Sequence, residues 1–202
     1  MKNILFLASG SASRKMLLQE ARIPFQVIEQ QADELACEWG MPLQQLVQKL
    51  AVLKMEHALV PIGKEGAVCF VLTADTLSLD SAGIIHGKPL DRADAFAKIK
   101  ALRKGGSCGT GFCLDKKIFK NGKWQTQRRS IGFAKADHIF DVPDYCIERY
   151  IDSGQSLGAS GGIRIEGEGA QFLKMIDGSY TAVVGLPMYE VRQALYELGF
   201  FG

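Results

Sequence analysis

The chain carries almost no excess charge: 24 Lys and Arg stand against 22 Asp and Glu over 202 residues, a formal balance of +2. That balance excludes the broad basic field used against nucleic-acid polymers and anionic membranes, so any phosphate recognition must be local. Cysteine is scarce. Cys37, Cys69, Cys108, Cys113 and Cys146 are odd in number and lack the paired short spacings of zinc ligands, which points to a reducing compartment. No apolar run approaches the roughly 20 residues of a membrane span. The opening apolar run, Ile4 to Ala8, is shorter than the roughly 7 to 15 residues of a secretory core, so a strand and a cytoplasmic chain are expected. A Gly-x-x-x-x-Gly-Lys-[Ser/Thr] loop is missing, and His57, His86 and His138 sit in unrelated contexts. Repeats, low-complexity tracts and convincing linkers are missing too. What remains, 47% hydrophobic and 23% charged, is a globular chain long enough to bury a core, expected as one domain over 1–202.

Strand and helix patterns alternate along it. Ile4 to Ala8 reads as a buried strand, Ser9-Gly10-Ser11-Ala12-Ser13 as a turn, and Ser13 to Ala21 as a helix. Pro24 to Glu29 reads as a second strand, followed by the acidic loop Ala32-Asp33-Glu34. Pro42 opens a helix over Leu43 to Leu59, with Leu43, Leu46, Val47 and Leu50 on one stripe and Lys54 on the same stripe. Ala67 to Ala74 is an apolar run that predicts a strand ending at Asp75-Thr76, with a further strand at Ile84-Ile85. Asp91 caps a helix to Lys104 that places Ala93, Phe96, Ile99 and Leu102 together. Gly109 to Phe119 and Lys123 to Lys135 form a hairpin through Asn121-Gly122, a type I′ signal. A helix from Asp141 to Asp152, a Gly- and Ser-rich stretch from Ser153 to Gly169, strands at Phe172 to Ile176 and Thr181 to Val184, and a closing helix from Pro187 to Leu198 complete the chain. The mixture predicts α/β or α+β with a mixed sheet.

Four segments draw polar groups together: the serine turn with Arg14 and Lys15, the helix with Lys54, the carboxylate Asp75, and the loop Gly87-Lys88-Pro89. Hydroxyls and backbone N–H groups at a helix start, with cations in its first turn, make a ready anion site. A helix merely capped by Ser11 is the plainer reading. Lys54 is either a stem snorkelling from a core stripe or a charge directed at phosphate. Asp75 is either a solvated strand-end carboxylate or, with Glu34, a ligand for Mg²⁺ or Mn²⁺ holding a polyphosphate.

Leu7-Ala8-Ser9-Gly10-Ser11-Ala12-Ser13-Arg14-Lys15-Met16-Leu17-Leu18 resembles the opening motif of the Maf nucleotide pyrophosphatases. Ala32-Asp33-Glu34, Leu50-Ala51-Val52-Leu53-Lys54, Ala74-Asp75-Thr76, Gly87-Lys88-Pro89, Thr110-Gly111, Gly178-Ser179-Tyr180 and Val184-Gly185-Leu186-Pro187 are similar to the blocks that follow, in the same order. The resemblance implies an ITPase-like fold: an elongated mixed sheet with flanking helices and a cleft between two lobes of a single domain. It implies hydrolysis of nucleoside triphosphates to the monophosphate and pyrophosphate with a divalent metal cation, and a possible homodimer. By motif, Asp75 matches the general base and Lys54 and Lys88 match phosphate-directed lysines. Glu34 matches an acidic residue tied to metal and catalysis, so the metal ligands expected are Glu34 and Asp75. Ser9, Ser11, Arg14 and Lys15 match the phosphate-binding turn.

Substrate choice within that family is expected at Ser13, Thr76 and Glu166. Members acting on dTTP and UTP usually carry Arg, Thr and Gln there, and the 7-methyl-GTP subgroup carries Trp, Gln and Glu. A carboxylate at Glu166 accepts from the N1–H and N2–H₂ edge of guanine and repels a pyrimidine carbonyl, so a 7-methyl-GTP-like purine is favoured over dTTP or UTP. The rival of another class is a catalytically weak, nucleotide-binding regulator of cell division.

Overall fold

The computed structural model describes residues 3–34 and 37–202. Its frame is a seven-stranded mixed sheet, ordered β2-β1-β3-β5-β6-β7 with β4 beside β3. The strands are β1 (Leu5–Leu7), β2 (Phe25–Val27), β3 (Val68–Asp80), β4 (Ile85–His86), β5 (Gly106–Lys120), β6 (Lys123–Phe140) and β7 (Leu173–Gly178). The helices are α1 (Ala12–Glu20), α2 (Leu43–Glu56), α3 (Arg92–Leu102), α4 (Asp144–Asp152), α5 (Tyr180–Val184) and α6 (Met188–Glu197). β1 runs parallel to β2 and β3, and every other pairing is antiparallel. The expected mixed α/β class is the one found.

Side chains alternate across this sheet, and the two faces are covered by different helices. Leu5, Leu7, Phe70, Leu72, Ala74, Phe112 and Leu114 face α1 and α3 to α6 in the largest core cluster. Phe6, Ala8, Cys69, Val71 and Cys113 face the opposite way, where Ala51 and Met55 of α2 cover them. α2 lies very close to β5. A Cβ built on Gly111 would stand 2.6 Å from the Val47 carbonyl carbon and the Gln48 nitrogen, so only glycine admits the helix at this depth.

The hairpin forms as its turn chemistry requires, with Asn121 at φ 54° and Gly122 at φ 76° between β5 and β6. Four expectations are corrected. β3 does not end at Asp75 but pairs with β5 from Val68↔Ile118 to Asp80↔Gly106, so its polar residues are ladder members and not a stop signal. Thr181 to Val184 is helical, because Ser179 caps α5 by accepting from the Ala182 N–H and Gly185 closes it at φ 129°, which overrides the β-branched preference. In α3, Ala93 is exposed and Ala95 takes its place in the core beside Ile99 and Leu102. α2 also stops at Glu56, short of Leu59, because Ala58 bridges to Gln30 and the Leu59 N–H donates to the Glu29 carbonyl.

Replacing Gly111 with Ala is expected to push α2 off the sheet, at a cost of about 1 to 3 kcal/mol. Thermal unfolding measures it, and an unchanged midpoint would show that the close approach is not confining.

Candidate active site

β3 carries the site because its outer edge is only partly paired. β1 pairs with it up to Leu7↔Leu72 and β4 begins at Ser78↔His86. Among the described residues, neither partner covers Thr73 to Leu77. Here the two faces of the sheet meet at an open edge, so successive residues pointing to opposite faces reach the same cleft. This cleft, about 250 Å³, lies near the lower end of small-molecule sites and is lined by Ser11, Ser13, Arg14, Glu34, Lys54, Asp75, Thr76, Lys88 and Glu166 among others.

Asp75 belongs to the face under α2, and so meets Lys54. The Lys54 ammonium stands 2.5 Å from one Asp75 oxygen and 2.9 Å from Glu34 Oε1. Lys54 is 8% exposed, which overturns the snorkelling reading: its head is held by two carboxylates and not by bulk water. Burial pushes the Asp75 carboxyl above its ordinary value; Lys54 and Arg14 pull it down and Glu34 adds to the rise, leaving it raised.

Thr76 belongs to the other face and meets Arg14. The guanidinium donates to the Gly185 carbonyl at 2.7 Å, to Ser9 Oγ at 3.1 Å and to Thr76 Oγ1 at 3.1 Å. Burial lowers this guanidinium from its usual value while Asp75 and Glu34 hold it up, and it remains a cation. Thr76 Oγ1 also hydrogen-bonds Thr110 Oγ1, which donates to the Ala182 carbonyl. Arg14 thus ties the serine turn, β3 and the end of α5 into one piece. Ser11 is indeed a cap, its Oγ accepting from the Arg14 N–H, and it lines the cleft as well.

Of the other expected residues, Lys88 is exposed at the rim of the cleft. Ser13 and Glu166 meet directly, Ser13 Oγ donating to Glu166 Oε1 at 3.2 Å, and Arg164 donates to the same hydroxyl at 3.4 Å. Two residues stand apart. Ser9 lies behind Arg14 and contacts it without lining this cleft. Lys15 does not line it either, because one further step along α1 turns its side chain about 100° away from Arg14. Residues that the sequence did not single out also border the cleft, among them Trp39, 41% exposed beside Gly87, and the buried His138. Neither sits in a motif with local spacing, so only the fold reveals them.

A family model described as Maf-like protein matches residues 4–198. The chain belongs to the Maf family. A dTTP/UTP pyrophosphatase of Cupriavidus metallidurans is 33% identical over 98% of this chain and 98% of its own length. A nucleoside triphosphate pyrophosphatase of Xylella fastidiosa is 32% identical over 95% of this chain and 97% of its own. A dTTP/UTP pyrophosphatase of Hydrogenovibrio crunogenus is 28% identical over 100% and 99%.

The donor set of this Maf cleft suits a hard cation that shares its shell with a substrate. Mg²⁺ takes one or two carboxylates plus phosphate oxygens and waters, and Asp75 and Glu34 supply two carboxylates that here converge on the Lys54 ammonium. Among the described residues, no group of three or more His, Cys, Asp or Glu side chains could cage a metal by itself.

The titration of Asp75, followed by ¹³C NMR of its carboxyl, is expected to have its midpoint above the ordinary carboxylate range. Glu34→Gln removes a negative neighbour, so the ionised form becomes easier to reach and the midpoint falls. An unmoved midpoint would uncouple the two groups.

Proposed function

We propose that this cleft hydrolyses nucleoside triphosphates to the monophosphate and pyrophosphate by attack of water at the α-phosphorus. The chain is an enzyme, a hydrolase of nucleotide anhydrides. The observation that carries the reading is the meeting of Asp75, Lys54 and Glu34 at the open edge of β3, opposite the start of α1. Asp75 accepts the proton of the attacking water as its oxygen bonds to phosphorus; the bond to the β-phosphate oxygen breaks, and pyrophosphate leaves with the electron pair. A buried carboxylate with a raised pKa is a better base near neutrality than an exposed one. Lys54 orients Asp75 and places positive charge where the phosphates would lie, and Lys88 at the rim reaches the outer phosphates. The Ser11 hydroxyl and the first-turn N–H groups of α1 serve the same anion. Glu34 and Asp75 would hold Mg²⁺ or Mn²⁺, which when bound supplies neutralisation of phosphate charge.

For the base, the Ser13–Glu166 contact supports a purine of the 7-methyl-GTP kind, since the carboxylate borders the cleft and accepts from N–H groups. A pyrimidine triphosphate is the second reading, favoured by the dTTP/UTP names of two relatives. The five free thiols, four of them buried, suit a cytoplasmic setting, and among the described residues no helix is long and apolar enough to cross a membrane.

Pyrophosphate release from a panel of nucleoside triphosphates with Mg²⁺ or Mn²⁺ tests the activity; binding without turnover would favour the regulatory rival. Asp75→Asn is expected to lower kcat by about 10² to 10⁴ while nucleotide binding persists, and near-normal turnover would remove Asp75 as the base. On the same panel Glu166→Gln should shift preference toward dTTP and UTP, and an unchanged order would show that Glu166 does not select the base.

A further inference from the structure

From Ile163 to Glu166 the backbone is extended, with φ −135° at Ile163 and −102° at Glu166. Successive side chains therefore point to opposite sides. Ile163 and Ile165 are buried in the largest core cluster, and Arg164 and Glu166, both half-buried, line the cleft. The segment is firmly held: the Arg164 N–H donates to the buried Tyr150 hydroxyl at 3.0 Å, and a Cβ on Gly169 would collide with the Arg164 carbonyl. Arg164 and Glu166 carry opposite charges, yet they do not pair. The Ser13 hydroxyl stands between them, accepting from the Arg164 guanidinium at 3.4 Å and donating to Glu166 Oε1 at 3.2 Å. Among the described residues, Arg164 forms no ion pair and Glu166 Oε2 has no hydrogen-bond partner. A guanidinium has several N–H donors and a carboxylate two acceptor oxygens, so one hydroxyl occupies only a small part of either.

We propose that Arg164 is a specificity-determining residue that donates to a base carbonyl while Glu166 accepts from the ring N–H beside it, so that the pair reads the lactam edge of guanine. The proposal rests on the nucleotide reading above and assigns the O6 side of the base to Arg164. Guanine presents O6, N1–H and N2–H₂ in order, one acceptor and then two donors, which match one guanidinium and the two oxygens of a carboxylate. Methylation at N7 leaves that edge in place. Uracil and thymine offer a carbonyl and a ring N–H but set a second carbonyl against Glu166. Adenine and cytosine reverse the order, with an amino group toward Arg164 and a bare ring nitrogen toward Glu166, so both partners are left unmatched. A phosphate is excluded by charge. An anion drawn to Arg164 at this point would lie against the Glu166 carboxylate, whereas an uncharged donor and acceptor satisfy both.

The test is calorimetric affinity of the full chain for the non-hydrolysable α,β-methylene analogues of GTP, UTP, ATP and CTP, and separately for inorganic triphosphate, which has no base. Wild-type protein should bind the GTP analogue tightest, the UTP analogue next, and the ATP and CTP analogues at least about tenfold more weakly than the GTP analogue. Arg164→Met, which keeps an apolar stem and removes the donors, should weaken the GTP analogue about tenfold and leave inorganic triphosphate unchanged, which also shows that the variant is folded. Arg164→Lys, which keeps a charged donor, should recover most of the loss. Unchanged affinity for the GTP analogue in Arg164→Met, an equal loss for the ATP analogue or for inorganic triphosphate, or a wild-type preference for the ATP or CTP analogue overturns the proposal. Wild-type protein that binds inorganic triphosphate and no nucleotide overturns it together with the nucleotide reading. Nucleotide binding without turnover of the ordinary triphosphates counts against the hydrolytic reading alone, and Arg164 is then judged on the affinities.

Discussion

A lysine ammonium held between two carboxylates at the uncovered edge of a strand is the interaction on which the site depends. Lys54 brings Asp75, from the middle of β3, and Glu34, from a loop far away in sequence, to one point. Removing the lysine from that triad would leave like charges facing one another in a poorly solvated place, where an unpaired charge is costly. The arrangement therefore sets both the orientation of Asp75 and the strength of the field in the cleft.

Close packing and buried hydrogen bonds keep this triad in place. Gly111 lets α2 settle on β5 closely enough for Lys54, seven residues past Val47, to reach the sheet edge. The Thr73 hydroxyl, two residues before Asp75, donates to the Ala51 carbonyl and fastens the same helix to the same strand. On the opposite face Arg14 does the equivalent for α1, joining Ser9, Thr76 and the carbonyl of Gly185. The cleft is thus clamped from both sides of one strand, and its groups are held in position before any ligand arrives.

Much of this was legible in the sequence because it rests on local periodicity and turn chemistry. The stripe Leu43, Leu46, Val47 and Leu50 forms α2, Asn121-Gly122 makes the hairpin, and Ser11 caps α1. Local rules misled where tertiary pairing prevailed. The polar run from Asp75 to Ser78 looked like a strand end, yet β5 supplies ladder partners throughout it; the β-branched run at Thr181 looked like a strand, yet its caps make it a helix. Sequences break local rules most readily at functional sites, and the polar break in the apolar run of β3 falls where that strand borders the cleft.

The sequence by itself determined most of the helices and strands, the buried stripe of α2 and, through the order of its motifs, the family to which the chain belongs. The tertiary structure alone decided which of the named groups meet: that Lys54 holds Asp75 and Glu34, that Glu166 finds Ser13 across the chain, and that Lys15 turns away. The reason is range. Backbone preferences and side-chain periodicity act over a few residues, whereas charges and hydrogen bonds act through space between residues that only the completed sheet makes neighbours.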